Sequence, residues 1–280
     1  MSKYLCDLII CLYNSGRNDF YYRLKSTRHC LMNIPSNVNV IVLEQITNRI
    51  ETFIDNLNIK AENINYIKKE LPDPFNKSWL YNVGVKQYSK TNNIILGESD
   101  IVFKPLYFKY FLEYVKNNNL KWAIGWDTVY YMNSNLSDLE KDLPGNNLGF
   151  AHPKIGRCTG LSVYFNKNFY LKLGGANEWI EGVRGTDNEL ASKAKNESNI
   201  FPIYKSDIYH RYHPRVYDSN NGLNCRPMIR YIMLNYKESM KKMDKYIDKI
   251  GGELPLGRRY KLDLPSYRTP KIIDEEGTKY

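Results

Sequence analysis

An α/β fold, with a mainly parallel central sheet flanked by helices, is what this 280-residue sequence predicts. Three observations predict it. Short runs that are apolar without alternation read as strands buried on both faces. Segments with helical apolar spacing separate those runs, so the first hundred residues alternate β and α. Each run hands over to polar residues at its carboxyl end, where ligands of open α/β sheets collect. The length suits one large α/β domain or a domain with an appendage. We expect that domain over 1–222, in two halves of about 1–104 and 105–222, with 223–280 as a C-terminal helix and extended basic tail packed on it.

Cys6-Asp7-Leu8-Ile9-Ile10-Cys11-Leu12-Tyr13 is the first strand, and Asn14-Ser15-Gly16-Arg17-Asn18 is the loop after it. A helix is expected over about 19–33, and a second strand over 39–45 with Glu44 at its carboxyl end. A polar helix over about 46–62 and a short strand over 64–68 follow. Pro72-Asp73-Pro74 breaks the chain, after which Trp79, Leu80, Val83 and Val85 recur at helical spacing over 76–89.

The next strand, Asn93-Ile94-Ile95-Leu96-Gly97, ends on Glu98-Ser99-Asp100. In extended backbone residues i and i+2 point the same way, so Glu98 and Asp100 can share one target. Like charges that close repel unless a cation or a set of donors lies between them. A hard divalent ion is the economical resident; the alternative is a loop carboxylate pair in water.

A helix from 105 to about 117 and one strand or two over 122–132, with Asp127 inside, come next. The segment 133–149, rich in Asn, Ser, Asp and Gly, is expected to be a mobile loop. A strand over 158–165 and a helix through Leu173 end on Gly174-Gly175. Gly174, Gly175, Gly182 and Gly185 mark a tightly turned loop that delivers Asp187 to the start of another helix. Thr186 or Asp187 as a plain helix cap is the bland reading of that position. His210 and His213, three apart, hold half of the chain's four histidines. Imidazole suits transition metals, and two surface histidines in a basic loop are the alternative. Over 226–250 a Lys- and Met-rich amphipathic helix is expected, its Lys237, Lys241, Lys242, Lys245 and Lys249 forming a solvated face.

Forty Lys and Arg against 30 Asp and Glu give a net charge of +10, which favours anionic partners. Nucleotides, polyanions and anionic membrane surfaces all qualify. With no helix-turn-helix, zinc-finger or RNP signature, nucleic acid is not expected. Peripheral contact with a membrane is compatible with the charge, and the oligomeric state is left open. Five cysteines without a CxxC pair point to reduced thiols rather than disulfides or zinc. No apolar run approaches the roughly 20 residues of a membrane span, and no secretory pattern opens the chain, so a cytoplasmic location is expected.

The order of these signals carries a resemblance. Tyr13-Asn14 after a strand, Val40-Ile41-Val42-Leu43-Glu44-Gln45, Phe75-Asn76-Lys77-Ser78-Trp79-Leu80-Tyr81-Asn82-Val83-Gly84, the acidic strand end, residues 174–190 and residues 210–215 form a series. It resembles the GT-A glycosyltransferases, in particular the branch of β1,4-galactosyltransferases and chondroitin-polymerase-like enzymes. The resemblance covers roughly residues 5–216. It implies a Rossmann-like GT-A fold whose first half binds nucleotide and whose second half binds acceptor. A UDP-sugar would be the donor, Mn²⁺ or Mg²⁺ the cofactor, and a hydroxyl of a glycan or glycoconjugate the acceptor.

Carried over residue by residue, Glu98-Ser99-Asp100 stands at the family's Asp-x-Asp. Asp100 and His213 would then be metal ligands, with His210 in support and Glu98 facing the ribose or a metal-bound water. Leu12, Tyr13, Arg17 and Glu44 would line the nucleotide pocket, with Phe75 against uracil and Lys77 against diphosphate. Asp187 stands at the catalytic base of the inverting members. Glu98 in place of the first Asp, Thr186 in place of the acid before the base, and Val183-Arg184 in place of a sugar-packing Trp are departures. They leave the donor and acceptor sugars open, and motivate as alternative a catalytically weak relative that binds nucleotide-sugars or glycans.

Overall fold

The computed structural model describes residues 2–14, 20–46, 51–70, 75–132, 147–153, 159–178 and 185–211. In chain order β1 (Cys6–Tyr13), α1 (Phe20–Met32), β2 (Val38–Ile46), α2 (Phe53–Leu57) and β3 (Ile64–Glu70) come first. Then follow α3 (Lys77–Val83), which runs on as a π-helical turn over Gly84–Tyr88, β4 (Asn93–Gly97), β5 (Ile101–Val102) and α4 (Tyr107–Asn117). The second half contributes β6 (Trp122–Ile124), β7 (Thr128–Met132), β8 (Asn147–Ala151), β9 (Ser162–Asn166), α5 (Lys167–Lys172), α6 (Thr186–Ser198) and β10 (Asp207–His210).

The main sheet has six strands in the order β3-β2-β1-β4-β9-β6. β3, β2, β1 and β4 are parallel; β9 runs antiparallel to β4 and β6 antiparallel to β9. The apolar runs supply the buried centre: Leu8, Ile9, Ile10, Val40, Ile41, Val42, Ile94 and Ile95 are all shielded from solvent. Asp7 is buried among them and is satisfied locally. Its carboxylate accepts from the amide of Asn39, from the backbone N–H groups of Lys90 and Thr91, and from the Thr91 hydroxyl. It thereby ties the start of β1 to the turn that launches β4.

A second sheet, β5-β10-β7-β8, is set against this one, with β10 antiparallel to β5 and parallel to β7. Its register matters for the site: His210 pairs with Ile101, one residue from Asp100. Tyr107, Phe103, Phe108, Phe111 and Tyr204 pack ring against ring where α4 meets the two sheets.

Several expectations need correction. Of the helix expected over 46–62, the described residues 51–62 carry only the five residues of α2. Thr52 is extended and caps it, and Asn58 ends it in the left-handed conformation (φ 51°). The one strand or two expected over 122–132 is two, in different sheets, with the buried Trp126 between them. The Tyr107 hydroxyl donates to the Gly125 carbonyl, and the Trp126 indole donates to Gly160. The last three residues of the expected 133–149 loop belong to β8; 133–146, and the tail from 212 onward, lie outside the described residues. Among the described residues no helix is long and apolar enough to cross a membrane.

Candidate active site

The side chains singled out by sequence converge beyond the carboxyl end of β4, next to that of β1. Backbone hydrogen bonds fix the acidic turn: Glu98 N–H donates to the Leu161 carbonyl (3.2 Å), and Arg211 N–H donates to the Asp100 carbonyl (2.8 Å). The β5–β10 pairing brings His210 alongside, its Nε2 3.8 Å from Asp100 Oδ2. Ligand atoms of Glu98, Asp100 and His210 all lie within 4.8 Å of one another. Two carboxylates and an imidazole are a donor set that suits Mn²⁺ and related divalent ions, so these residues fit the implied metal. The expected ligand His213 lies outside the described residues, and so does Arg17.

Lys77 opens α3, and several bonds set its position. Asn76 caps that helix by accepting from Trp79 N–H (2.9 Å). Asn76 N–H donates to Gln45 at the end of β2 (2.8 Å), and its amide donates to the Glu178 carbonyl (2.8 Å). From there the Lys77 ammonium reaches Glu98 Oε1 at 3.0 Å and both Asp187 oxygens at 3.3 Å. Burial alone would pull its pKa down; Asp187 and Glu98 outweigh that and hold it well above the usual lysine value. Lys77 is therefore a fixed positive charge between two carboxylates.

Asp187 is the second residue of α6 and not its cap. The cap position is Gly185, at φ 101° and without a side-chain bond. The cap reading therefore fails, for Asp187 and equally for Thr186, whose hydroxyl is paired with Ser78 (2.9 Å). Behind it Glu189 and Lys193 form a fully buried ion pair, with Lys193 also donating to the Gly175 carbonyl (2.6 Å) and Asn177 N–H donating to Glu189 (3.3 Å).

The two most specific sequence blocks turn out to be one unit. Asn82 of α3 donates to the Ala176 carbonyl and to Glu178, and accepts from Ala176 N–H and the Tyr170 hydroxyl. A buried asparagine satisfied on both ends docks α3 onto the glycine-rich loop, and so carries Lys77 to Asp187.

The other candidates divide. Tyr13 and Phe75 stack face to face, with centroids 5.1 Å apart and planes 12° off parallel. Leu12 is buried in the core. Glu44 is 1% exposed, and its two oxygens accept from the backbone N–H groups of Phe53 (2.7 Å) and Ile54 (2.9 Å). Its carboxylate is committed to starting α2. Sequence reasoning gave no role to Gln45, although it ends the Val40–Gln45 block, and missed Gly160, which carries no motif; the long-range packing reveals both.

No protein-family model matches the chain, and no curated protein does. Solved structures do match. S. aureus TarS superposes with a TM-score of 0.50 at 12% identity over 93% of this chain, which spans about half (46%) of that protein. TarS 1–349 in complex with UDP-GlcNAc gives a TM-score of 0.54 at 12% identity, over 93% of this chain and 76% of that one. At such identity the likeness is one of architecture: the chain has the α/β, GT-A-type fold that its sequence predicts.

Proposed function

We propose that this chain is a metal-dependent glycosyltransferase that moves a hexose or N-acetylhexosamine from a UDP-sugar to a hydroxyl acceptor, with inversion. One observation carries the proposal. Glu98, Asp100 and His210 gather within 4.8 Å beside a Lys77 that touches Asp187, at the ligand-bearing end of the parallel strands. The UDP-GlcNAc complex of the structurally similar TarS supports a UDP-sugar as donor.

In this reading Asp100 and His210 hold the cation with Glu98 beside them, and His213 stands in the same segment as a further candidate ligand. The chemistry supplied there by Mn²⁺ or Mg²⁺ is neutralisation of the leaving diphosphate. Lys77 places a second positive charge where that negative charge accumulates. Asp187 accepts the proton of the acceptor hydroxyl as its oxygen bonds to the anomeric carbon. The bond from that carbon to UDP breaks, and its electron pair leaves on the β-phosphate oxygen. A single displacement of this kind inverts the anomeric centre.

Incubation with UDP-Glc, UDP-Gal, UDP-GlcNAc and UDP-GalNAc, with and without Mn²⁺, is expected to show cation-dependent UDP release from at least one of them. No release from any would sink the proposal, and a retained anomeric configuration in the product would sink inversion. A binding-only reading has one observation in its favour, the ion pair that already engages Asp187. It predicts thermal stabilisation by a UDP-sugar without UDP release.

A further inference from the structure

We infer that the missing side chain at Gly160 is what seats the Asp187 carboxylate, making Gly160 a positioning residue for the base; this rests on the transferase reading above. A Cβ built at Gly160 would lie 2.6 Å from Asp187 Oδ2, 2.7 Å from its Cγ and 3.2 Å from its Cβ. Carbon does not sustain the first two separations. The glycine is not there for its dihedral freedom, since among the described residues the glycines with positive φ are Gly174, Gly175 and Gly185. Space alone requires it.

Neither backbone can recede to make that space. The Gly160 carbonyl accepts from the Trp126 indole (2.8 Å) and from Ser162 N–H (3.0 Å). Next to it the Thr159 hydroxyl donates to Asn188 Oδ1 (2.7 Å), which ties this segment to the first turn of α6. The Ser78–Thr186 hydrogen bond (2.9 Å) holds that turn from the α3 side. Lys77 Nζ lies 3.3 Å from both Asp187 oxygens. The carboxylate is therefore held by an ammonium and packed against a bare stretch of backbone. A methyl group at 160 meets the Asp187 side chain first, and the end of that side chain is what gives way. That displacement is cheap for the fold and expensive for the chemistry, because misplacing a reacting group by about 1 Å costs on the order of a hundred-fold in rate.

The test is Gly160→Ala, alone and combined with Asp187→Asn, using whichever of the four UDP-sugars gives the fastest UDP release with Mn²⁺. The expected result is a melting temperature and a UDP affinity like the parent's, an unchanged KM for the donor, and kcat lower by about a hundred-fold. In the Asp187→Asn background Gly160→Ala is expected to add no further loss, since it acts through that carboxylate. Parental kcat in Gly160→Ala, a large fall in its melting temperature, or a full additional loss in the double variant would each overturn the inference. Parental turnover in Asp187→Asn alone overturns the base reading instead, and no UDP release by the parent protein overturns the transferase reading itself, in both cases taking this inference with it.

Discussion

Six of the buried or half-buried carboxylates among the described residues fall into two groups. Asp7, Glu44 and Glu189 each accept from backbone N–H groups: Lys90 and Thr91 for the first, Phe53 and Ile54 for the second, Asn177 for the third. Glu98, Asp100 and Asp187 face the ends of cationic or ionisable side chains at the strand ends, Lys77 for two of them and His210 for the other; Glu189 also meets a cation, but its Lys193 is itself fully buried and bonded to the Gly175 carbonyl. A backbone donor is fixed by the fold and cannot be exchanged, so the first group is structural. A side-chain cation can be traded for a metal ion or re-aimed at a phosphate, so the second can serve a ligand. What stands opposite an acid, more than its position at a strand end, separates the two.

The largest expected effect breaks the second group at its base. Asp187→Asn keeps the shape of the side chain and removes the proton acceptor. Loss of such a base typically costs about a hundred- to ten-thousand-fold in turnover, or roughly 3–5.5 kcal/mol at 1.36 kcal/mol per decade. UDP affinity with Mn²⁺ is expected to survive. Retained turnover would move Asp187 into the structural group.

Breaking the first group is expected to show the opposite pattern. Lys193→Met leaves Glu189 buried without its ion-pair partner (their side chains are 1% and 0% exposed). Removing one member of such a pair costs about 3–5 kcal/mol, read as a lower denaturant midpoint. UDP affinity of the fraction that folds is expected to match the parent's. Weaker UDP binding at full stability would contradict the division.

Asp100→Ala comes third. At 100 times its dissociation constant a ligand stabilises the native state by about 2.7 kcal/mol. Asp100→Ala is expected to abolish the Mn²⁺-dependent part of the UDP thermal shift, while Glu98→Asp is expected to keep it. An unchanged shift in Asp100→Ala would take that residue out of the metal site.

Much of this layout is legible in the sequence, and the reasons are physical. β1 is read at its observed bounds because a doubly buried strand is a near-continuous apolar run, here with Asp7 near its start, that hands over to polar residues. The Phe75–Gly84 block and the 174–190 loop stand out because Asn76, Ser78 and Asn82 each bond across to the loop or to α6. Polar residues that must meet across a hundred positions leave a recognisable pattern. Two things were not legible. Gly160 has no local signal, because its neighbour Asp187 is 27 positions away and the requirement is empty space. The approach of His210 to Asp100 depends on the β5–β10 register, which strand-length reasoning does not supply.

The smallest expected effect concerns Glu44, where sequence resemblance and structure give different roles. As a nucleotide contact, Glu44 would lose UDP affinity on substitution and little stability. As the acceptor for the first N–H groups of α2, it would lose stability and no affinity. Glu44→Gln keeps the volume but weakens the two bonds, and caps of this kind are worth about 0.5–2 kcal/mol. The pH dependence sharpens the test. Burial raises the Glu44 pKa above the usual 4.5, with the N–H groups of Ile54 and Phe53 opposing it. A raised folded-state pKa means that the native protein holds this proton more tightly than the unfolded chain. Its contribution is complete below the usual glutamate value and is lost as pH rises through the folded one. The stability of the parent relative to Glu44→Gln, followed by thermal melts from pH 4 upward, is therefore expected to decline across the window that opens near 4.5. A relative stability that climbs with pH would mean that the N–H groups outweigh burial. A loss of UDP affinity at constant melting temperature would return Glu44 to the nucleotide pocket.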